Sequence, residues 1–175
     1  MNKQDLFLES RDYLHFLDLL KEYVRKYEVQ VFHYCLMTNH VHLLIRCSDL
    51  ERLAKFSHFI QRRYAYYYCG KYRWTGSVFR RRYKSFPIDK EIYLLECGRY
   101  IERNPLNAFL VRHPGDYPYT SFHYYAKGIN DELVQPSPVY LGLSGDERER
   151  RRIYTEYVTE TRVQEEMAEK GLLAV

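Results

Sequence analysis

One hairpin constrains this chain more than any other stretch. Val29 to Met37 (VQVFHYCLM) is rich in β-branched and aromatic residues and reads as a strand. Thr38-Asn39 follows as a short turn, and His40 to Arg46 (HVHLLIR) is the returning strand. Alternation sends His40 and His42 to one face and Val41, Leu43 and Ile45 to the other, where they can anchor the strand in a core. Two imidazoles side by side on a sheet make two-thirds of a divalent-metal site. The plainer alternative is two hydrogen-bonded histidines on a half-buried strand. His33, on the first strand, is either within range of the pair or a packing residue.

The rest of the chain is mostly helical in pattern. Ser10 to Lys26 reads as a helix capped by Ser10, with Leu14, Leu17, Leu20 (or Lys21) and Val24 at helical spacing. Asp49 to about Cys69 is helical, with Leu53, Phe56, Ile60 (or Phe59) and Tyr64 on one stripe and Gly70 as C-cap. Gly76 to Ile88 reads as a loop and strand ending near Pro87. Asp89 then caps a helix to about Arg103, which Pro105 ends by restricting Asn104. His113 to Pro118 is a loop and Tyr119 to Ala126 a short helix. Asn130 to Pro138 is the best linker candidate, and Gly145 to Lys170 is a charged helix whose Ile153, Tyr157 and Val158 can pack on the body. The pattern predicts an α+β fold: a ferredoxin-like βαββαβ arrangement lacking its first strand, with extra C-terminal helices. It divides into a domain over 1–128 and a linker with a charged helix over 129–175.

Charge and cysteine placement narrow the function class. No apolar run reaches the ~20 residues that span a bilayer, and MNKQDLFLESRD has acids and no apolar core of a signal peptide. Cys35, Cys47, Cys69 and Cys97 form no CxxC pair, so four reduced thiols are expected. An intracellular protein without a membrane partner is left. Between Gln61 and Lys84 stand eight basic residues (Arg62, Arg63, Lys71, Arg73, Arg80, Arg81, Arg82, Lys84) and no acid, so the rest of the net +4 chain sums to −4. The same stretch holds eight aromatics, Trp74 among them. Cations interleaved with flat rings suit a single strand of nucleic acid: cations hold phosphates and rings take unpaired bases. The alternative is a solvated basic face over an aromatic core; in the run AYYYC, half the rings are expected to be core.

Tyr100 and Asn104 lie four apart and so on one helix face. An amide oxygen there can complete a metal site, and a phenol can attack a phosphate the metal polarises. The alternative is a packing tyrosine and a capping asparagine.

The ordered set of motifs resembles a known family. MTNHVHLLI looks like the HUH motif of the single-tyrosine, IS200-like transposases, and RYIERNPLNAFLV like the helix bearing their nucleophile. QDLFLESRDYLHFLDLL, GSVFRRRYKSF, EIYLLECGRYIERNP and DYPYTSFHYY are similar in order and spacing, from about Lys3 to Ala126. The form Tyr-Ile-x-x-Asn-Pro is closest to the REP-associated tyrosine transposases. The resemblance implies that His40, His42 and Asn104 hold Mg²⁺ or Mn²⁺, and that Tyr100 cuts and rejoins single-stranded DNA beside a hairpin through a 5′-phosphotyrosine link. It also implies that Arg62, Arg63 and Arg80 to Arg82 track the backbone while Trp74 or neighbouring tyrosines stack bases. The expected setting is cytoplasmic and nucleoid-associated, as monomer or homodimer. Family members usually open with a strand before the Gln-Asp-Leu-Phe equivalent. Met1 falls almost at that point, so a gap beside the hairpin and lowered activity are expected unless another segment or subunit fills it. The rival expectations are an inactive hairpin-DNA-binding repressor or architectural factor and, more distantly, an RNA-binding protein on the same fold.

Overall fold

The structure, a computed structural model, describes residues 4–79, 83–88 and 90–160. Its order is α1 (Ser10–Tyr27), β1 (Gln30–Met37), β2 (His40–Arg46), α2 (Leu50–Tyr72), α3 (Ile92–Asn107), a 3₁₀ turn (Pro114–Asp116), α4 (Phe122–Lys127), α5 (Pro138–Leu141) and α6 (Glu147–Thr159). β1 and β2 pair antiparallel from Met37↔His40 to Gln30↔Arg46, with one irregularity between Val31 and His33. Tyr34 and Leu36 join the core that α1 and α2 build, against which Val41 and Leu43 also pack. Cys35, Met37 and Leu44 face the other way and pack with Cys97 and Ile101 of α3. The hairpin is thus filling between two helical layers.

The result is an α+β protein with a two-stranded sheet among the described residues. No strand forms over 76–79 or 83–88, where one is expected; Tyr83 to Ile88 have no strand partner there, and Pro87 has no N–H to give. Arg80, Arg81, Arg82, Asp89 and the end of the expected last helix lie outside the described residues.

The outer edge of β1 is nonetheless closed, by residues later in the chain. The Val31 carbonyl accepts from the Gln135 amide at 2.9 Å, and the Tyr34 carbonyl from the Ser121 amide at 3.0 Å. The Leu36 amide donates to the Tyr119 carbonyl at 2.9 Å. Side-chain hydroxyls complete the edge: Tyr125 donates to the Phe32 carbonyl, Tyr117 to the Leu36 carbonyl, and Ser121 accepts from the Tyr34 amide. Unpaired strand groups in a core are costly, so these bonds are what let β1 be buried. No gap is therefore open along β1. Along β2, Val41 and Leu43 sit opposite Leu36 and Tyr34 and so aim their backbone groups away from β1. No strand lies beside them among the described residues.

Three helix ends differ from expectation, each for a local reason. At α1 the cap is Glu9, which forms a reciprocal capping box with Asp12, so Ser10 is already helical. The buried face of α1 is Tyr13, Phe16, Leu19, Leu20 and Tyr23, while Leu14 is exposed. α2 runs through Gly70 to Tyr72 and ends with Arg73 in the left-handed region (φ 50°). α3 continues past Pro105 to Asn107. The stretch expected to be a linker packs instead: Leu133, Val134 and Ser137 are buried. α6 buries Tyr154 and Val158, with Ile153 and Tyr157 at its margin.

α1 and α2 are tied by one buried carboxylate. Asp12 is wholly buried and accepts from Tyr67 Oη (2.8 Å), Tyr72 Oη (2.7 Å) and Lys71 Nζ (2.5 Å), as well as from the Leu8 amide. Burial alone would raise its pKa; the Lys71 ammonium and the hydroxyls outweigh that and bring it down to about 2. Lys71 also binds Glu9 at 2.6 Å. The lysine expected to hold a phosphate therefore neutralises a buried acid.

Candidate active site

β2 and α3 bring four of the expected residues together. Alternation places His40 and His42 on the face of the hairpin that α3 crosses, beside Met37 and Cys35. The two Nε2 atoms are 2.9 Å apart. His40 Nδ1 lies 2.5 Å from Asn39 Oδ1. The amide oxygen there takes a ring N–H, which turns the His40 Nε2 lone pair toward His42. The Tyr100 ring meets His42 edge to face, with centroids 5.8 Å apart and planes at 85°.

Asn104 joins the two rings, and a proline explains its pose. Pro105 has no N–H to give the Ile101 carbonyl, and the Asn104 side-chain amide donates instead, to the Tyr100 carbonyl at 2.8 Å and the Ile101 carbonyl at 3.4 Å. The helix therefore survives the proline, and the amide is held in one place. The Asn104 side chain also acts on both rings, raising the His42 pKa and lowering that of Tyr100. Burial, then the neighbouring His40, bring His42 down to about 4, so it is neutral at pH 7, the form that binds metals. Burial pushes the Tyr100 phenol above its ordinary value despite Asn104, so it is protonated at pH 7.

This donor set fits a divalent cation. Two nitrogens sharing an ion at right angles, with bonds of about 2.1 Å, sit about 3 Å apart, close to the observed 2.9 Å. Among the described residues no third His, Cys, Asp or Glu completes a cluster. Asn104, whose side chain acts on both His42 and Tyr100, carries an amide oxygen, a hard donor of the kind Mg²⁺ and Mn²⁺ accept.

His33 does not join the pair. Its Nδ1 is 2.9 Å from Glu102 Oε1, and both side chains are fully buried. Ser121 Oγ donates to the same oxygen at 2.7 Å and Tyr154 Oη to the other at 2.8 Å. Gly98 passes so close that a Cβ there would lie 2.6 Å from His33 Nε2. Gly98 and Glu102 occupy the flank of α3 opposite Tyr100 and Asn104, given ~100° per residue. This latch fixes the roll of the helix that carries Tyr100. Nothing in the pattern of Glu102, Ser121 or Tyr154 marks them in the sequence, because they converge from three separate elements.

The basic, aromatic segment lies at the histidine end of the hairpin. The Leu6 and Phe7 amides donate to the Thr38 carbonyl, two residues from His40. Tyr64 and Tyr68 of α2 donate to the Leu6 and Asp5 carbonyls. Trp74 sets its edge on Tyr68 at 6.3 Å and is 41% exposed. Arg62, Arg63, Arg73 and Lys84 are exposed, and Arg62 lies over the exposed Tyr66 ring. Of the run AYYYC, Tyr68 is core, Tyr67 half-buried and Tyr66 exposed, fewer core rings than the expected half; Tyr64, just before the run, is also buried.

Fold and site together define a single-chain α+β protein whose helix-borne tyrosine and asparagine meet a strand-borne histidine pair, an arrangement suited to attack on a polarised phosphodiester. The chain belongs to the IS200-like transposase family: that family's model, Transposase IS200 like, matches residues 2–104, more than half its length. The match takes in the hairpin and ends on Asn104. Membership sets DNA transposition as the class of activity. No curated protein and no solved structure matches the chain. Among the described residues no helix is long and apolar enough to cross a membrane.

Proposed function

We propose that this chain cleaves and rejoins single-stranded DNA beside hairpins, as a transposase of the REP-associated type, with Tyr100 as nucleophile. The observation that carries the reading is the convergence of Tyr100 and Asn104 on the His40–His42 pair. His40, His42 and the Asn104 oxygen would hold Mg²⁺ or Mn²⁺, which supplies charge neutralisation at a non-bridging phosphate oxygen. Tyr100 Oη forms the bond to phosphorus, the phosphorus–O3′ bond breaks, the phenolic proton leaves and the 3′ oxygen gains one. The strand then hangs on Tyr100 by its 5′ phosphate, and an incoming 3′-OH reverses the exchange without an outside energy source. Asn104 lowers the phenol's pKa against burial, and His42, neutral beside it, is not a competing cation. Arg62, Arg63 and Arg73 supply phosphate contacts and Trp74 a base-stacking face; Lys71 is left out because Asp12 holds it. All four site residues come from one chain, so a monomer is sufficient. DNA in the cytoplasm is the expected partner.

The test is a hairpin-flanked oligonucleotide incubated with Mn²⁺ and run on a denaturing gel. Wild type gives a covalent protein–DNA adduct, and Tyr100→Phe gives none while still binding the DNA. An adduct in the Phe variant moves the nucleophile elsewhere. Salt-sensitive binding with no adduct from wild type supports a hairpin-binding repressor or architectural factor instead.

A further inference from the structure

The turn after α3 breaks two physical preferences at a single residue. α3 ends in a Schellman motif: the Leu110 amide donates to the Pro105 carbonyl at 2.9 Å and the Phe109 amide to the Leu106 carbonyl at 3.0 Å. The residue that must adopt the left-handed conformation in this motif is ordinarily glycine, because any Cβ is crowded there. Here it is Phe109, at φ 56°. Its side chain is also 94% exposed, the most exposed large apolar group among the described residues. A bulky ring that strains the backbone and buries nothing contributes no stability to explain its presence. Such a conflict points toward a role outside the fold.

Its place suggests the role. The Ala108 amide bonds to the Asn104 carbonyl in the last turn of α3, so Phe109 follows directly on the helix end that carries Asn104. Phe109 stands nine residues beyond Tyr100, roughly 13 Å along a helical axis, the reach of a few nucleotides of a strand crossing Tyr100. Arg112, also exposed, follows three residues later, giving the ring-and-cation pairing that single strands favour.

We propose that Phe109 is a stacking platform for an unpaired nucleobase a few nucleotides from the phosphate attacked by Tyr100. The proposal rests on the single-strand reading above. Held outward by a rigid cap, the ring offers a π-face at no cost in loop ordering, and it takes any base, so it positions the strand without selecting its sequence.

The test compares the full chain with its Phe109→Gly and Phe109→Trp variants. A fluorescein-labelled, mixed-sequence single-stranded oligonucleotide is titrated without metal, and thermal unfolding is measured in parallel. Phe109→Gly should unfold at a higher temperature, having lost the strain, yet bind the oligonucleotide about 5- to 100-fold more weakly. Phe109→Trp should bind as wild type, with indole emission quenched beyond the change that wild type, carrying only Trp74, shows. Unchanged binding by the Gly variant, or a lowered unfolding temperature, overturns the assignment. If wild type fails to bind the oligonucleotide, the single-strand reading falls and this one with it. Wild-type binding with no loss in the Gly variant removes this inference alone.

Discussion

Replacing Gly98 by alanine probes whether the buried latch sets the position of Tyr100. The new Cβ would lie 2.6, 2.7 and 2.9 Å from three atoms of the His33 ring. Ordinary contact is at least about 3.4 Å. The ring is poorly placed to give way: Tyr125 stacks on it at 4.3 Å and Glu102 holds its Nδ1. α3 must then retreat from β1 by about 0.8 Å or more. Overpacking of this kind costs about 1–3 kcal/mol. Alanine returns up to about 1 kcal/mol as the better helix former. A net loss near 1 kcal/mol lowers the unfolding temperature by about 2–4 °C in a domain this size. Tyr100, two residues on, moves with the helix, and a displacement near 1 Å can lower a rate about 100-fold. Single-turnover adduct formation with a hairpin-flanked oligonucleotide and Mn²⁺, beside thermal unfolding, separates the two effects. A folded Gly98→Ala protein that forms adduct within about threefold of the wild-type rate would refute the claim that the Gly98–His33 contact places Tyr100.

Tyr154→Phe removes one donor from the buried Glu102 carboxylate and should cost about 1–3 kcal/mol, read as a lower urea midpoint; no change would mean the hydroxyl is not part of the latch. Asp12 links stability to acid. Its folded pKa of about 2 lies below the ordinary 3.8, so its contribution is present above pH ~4 and is lost as pH falls toward 2, about 2 kcal/mol in all. Urea unfolding at pH 5 and pH 2.5 should show that slope in wild type and a shallower one in Asp12→Asn. Equal slopes would assign the acid sensitivity to other groups.

The hairpin and the faces its candidate site residues share were legible because strand alternation and helical spacing act over short range. His40 and His42 two apart, and Tyr100 and Asn104 four apart, each share a face wherever the element sits. The stripe of α2 was legible for the same reason. The α1 cap was not, because Glu9 and Asp12 compete with Ser10 through a reciprocal bond that pattern alone does not rank. Lys71 belongs to a run of cations in the sequence, yet its partner Asp12 is 59 residues away. The packed stretch after Asn130 looks like a linker because its polar residues are those of a turn. Its two buried apolar residues, Leu133 and Val134, gain meaning only beside β1.

The closure of β1 sets the smallest unit that can stand alone. The similarity ends at residue 104, but the groups that cap the β1 edge come from Tyr117 to Gln135. A fragment trimmed to the family-matched portion would carry all four candidate site residues and a raw, self-adhesive strand. Heritage and foldability therefore have different borders in this molecule, and anyone dissecting it should cut by the second.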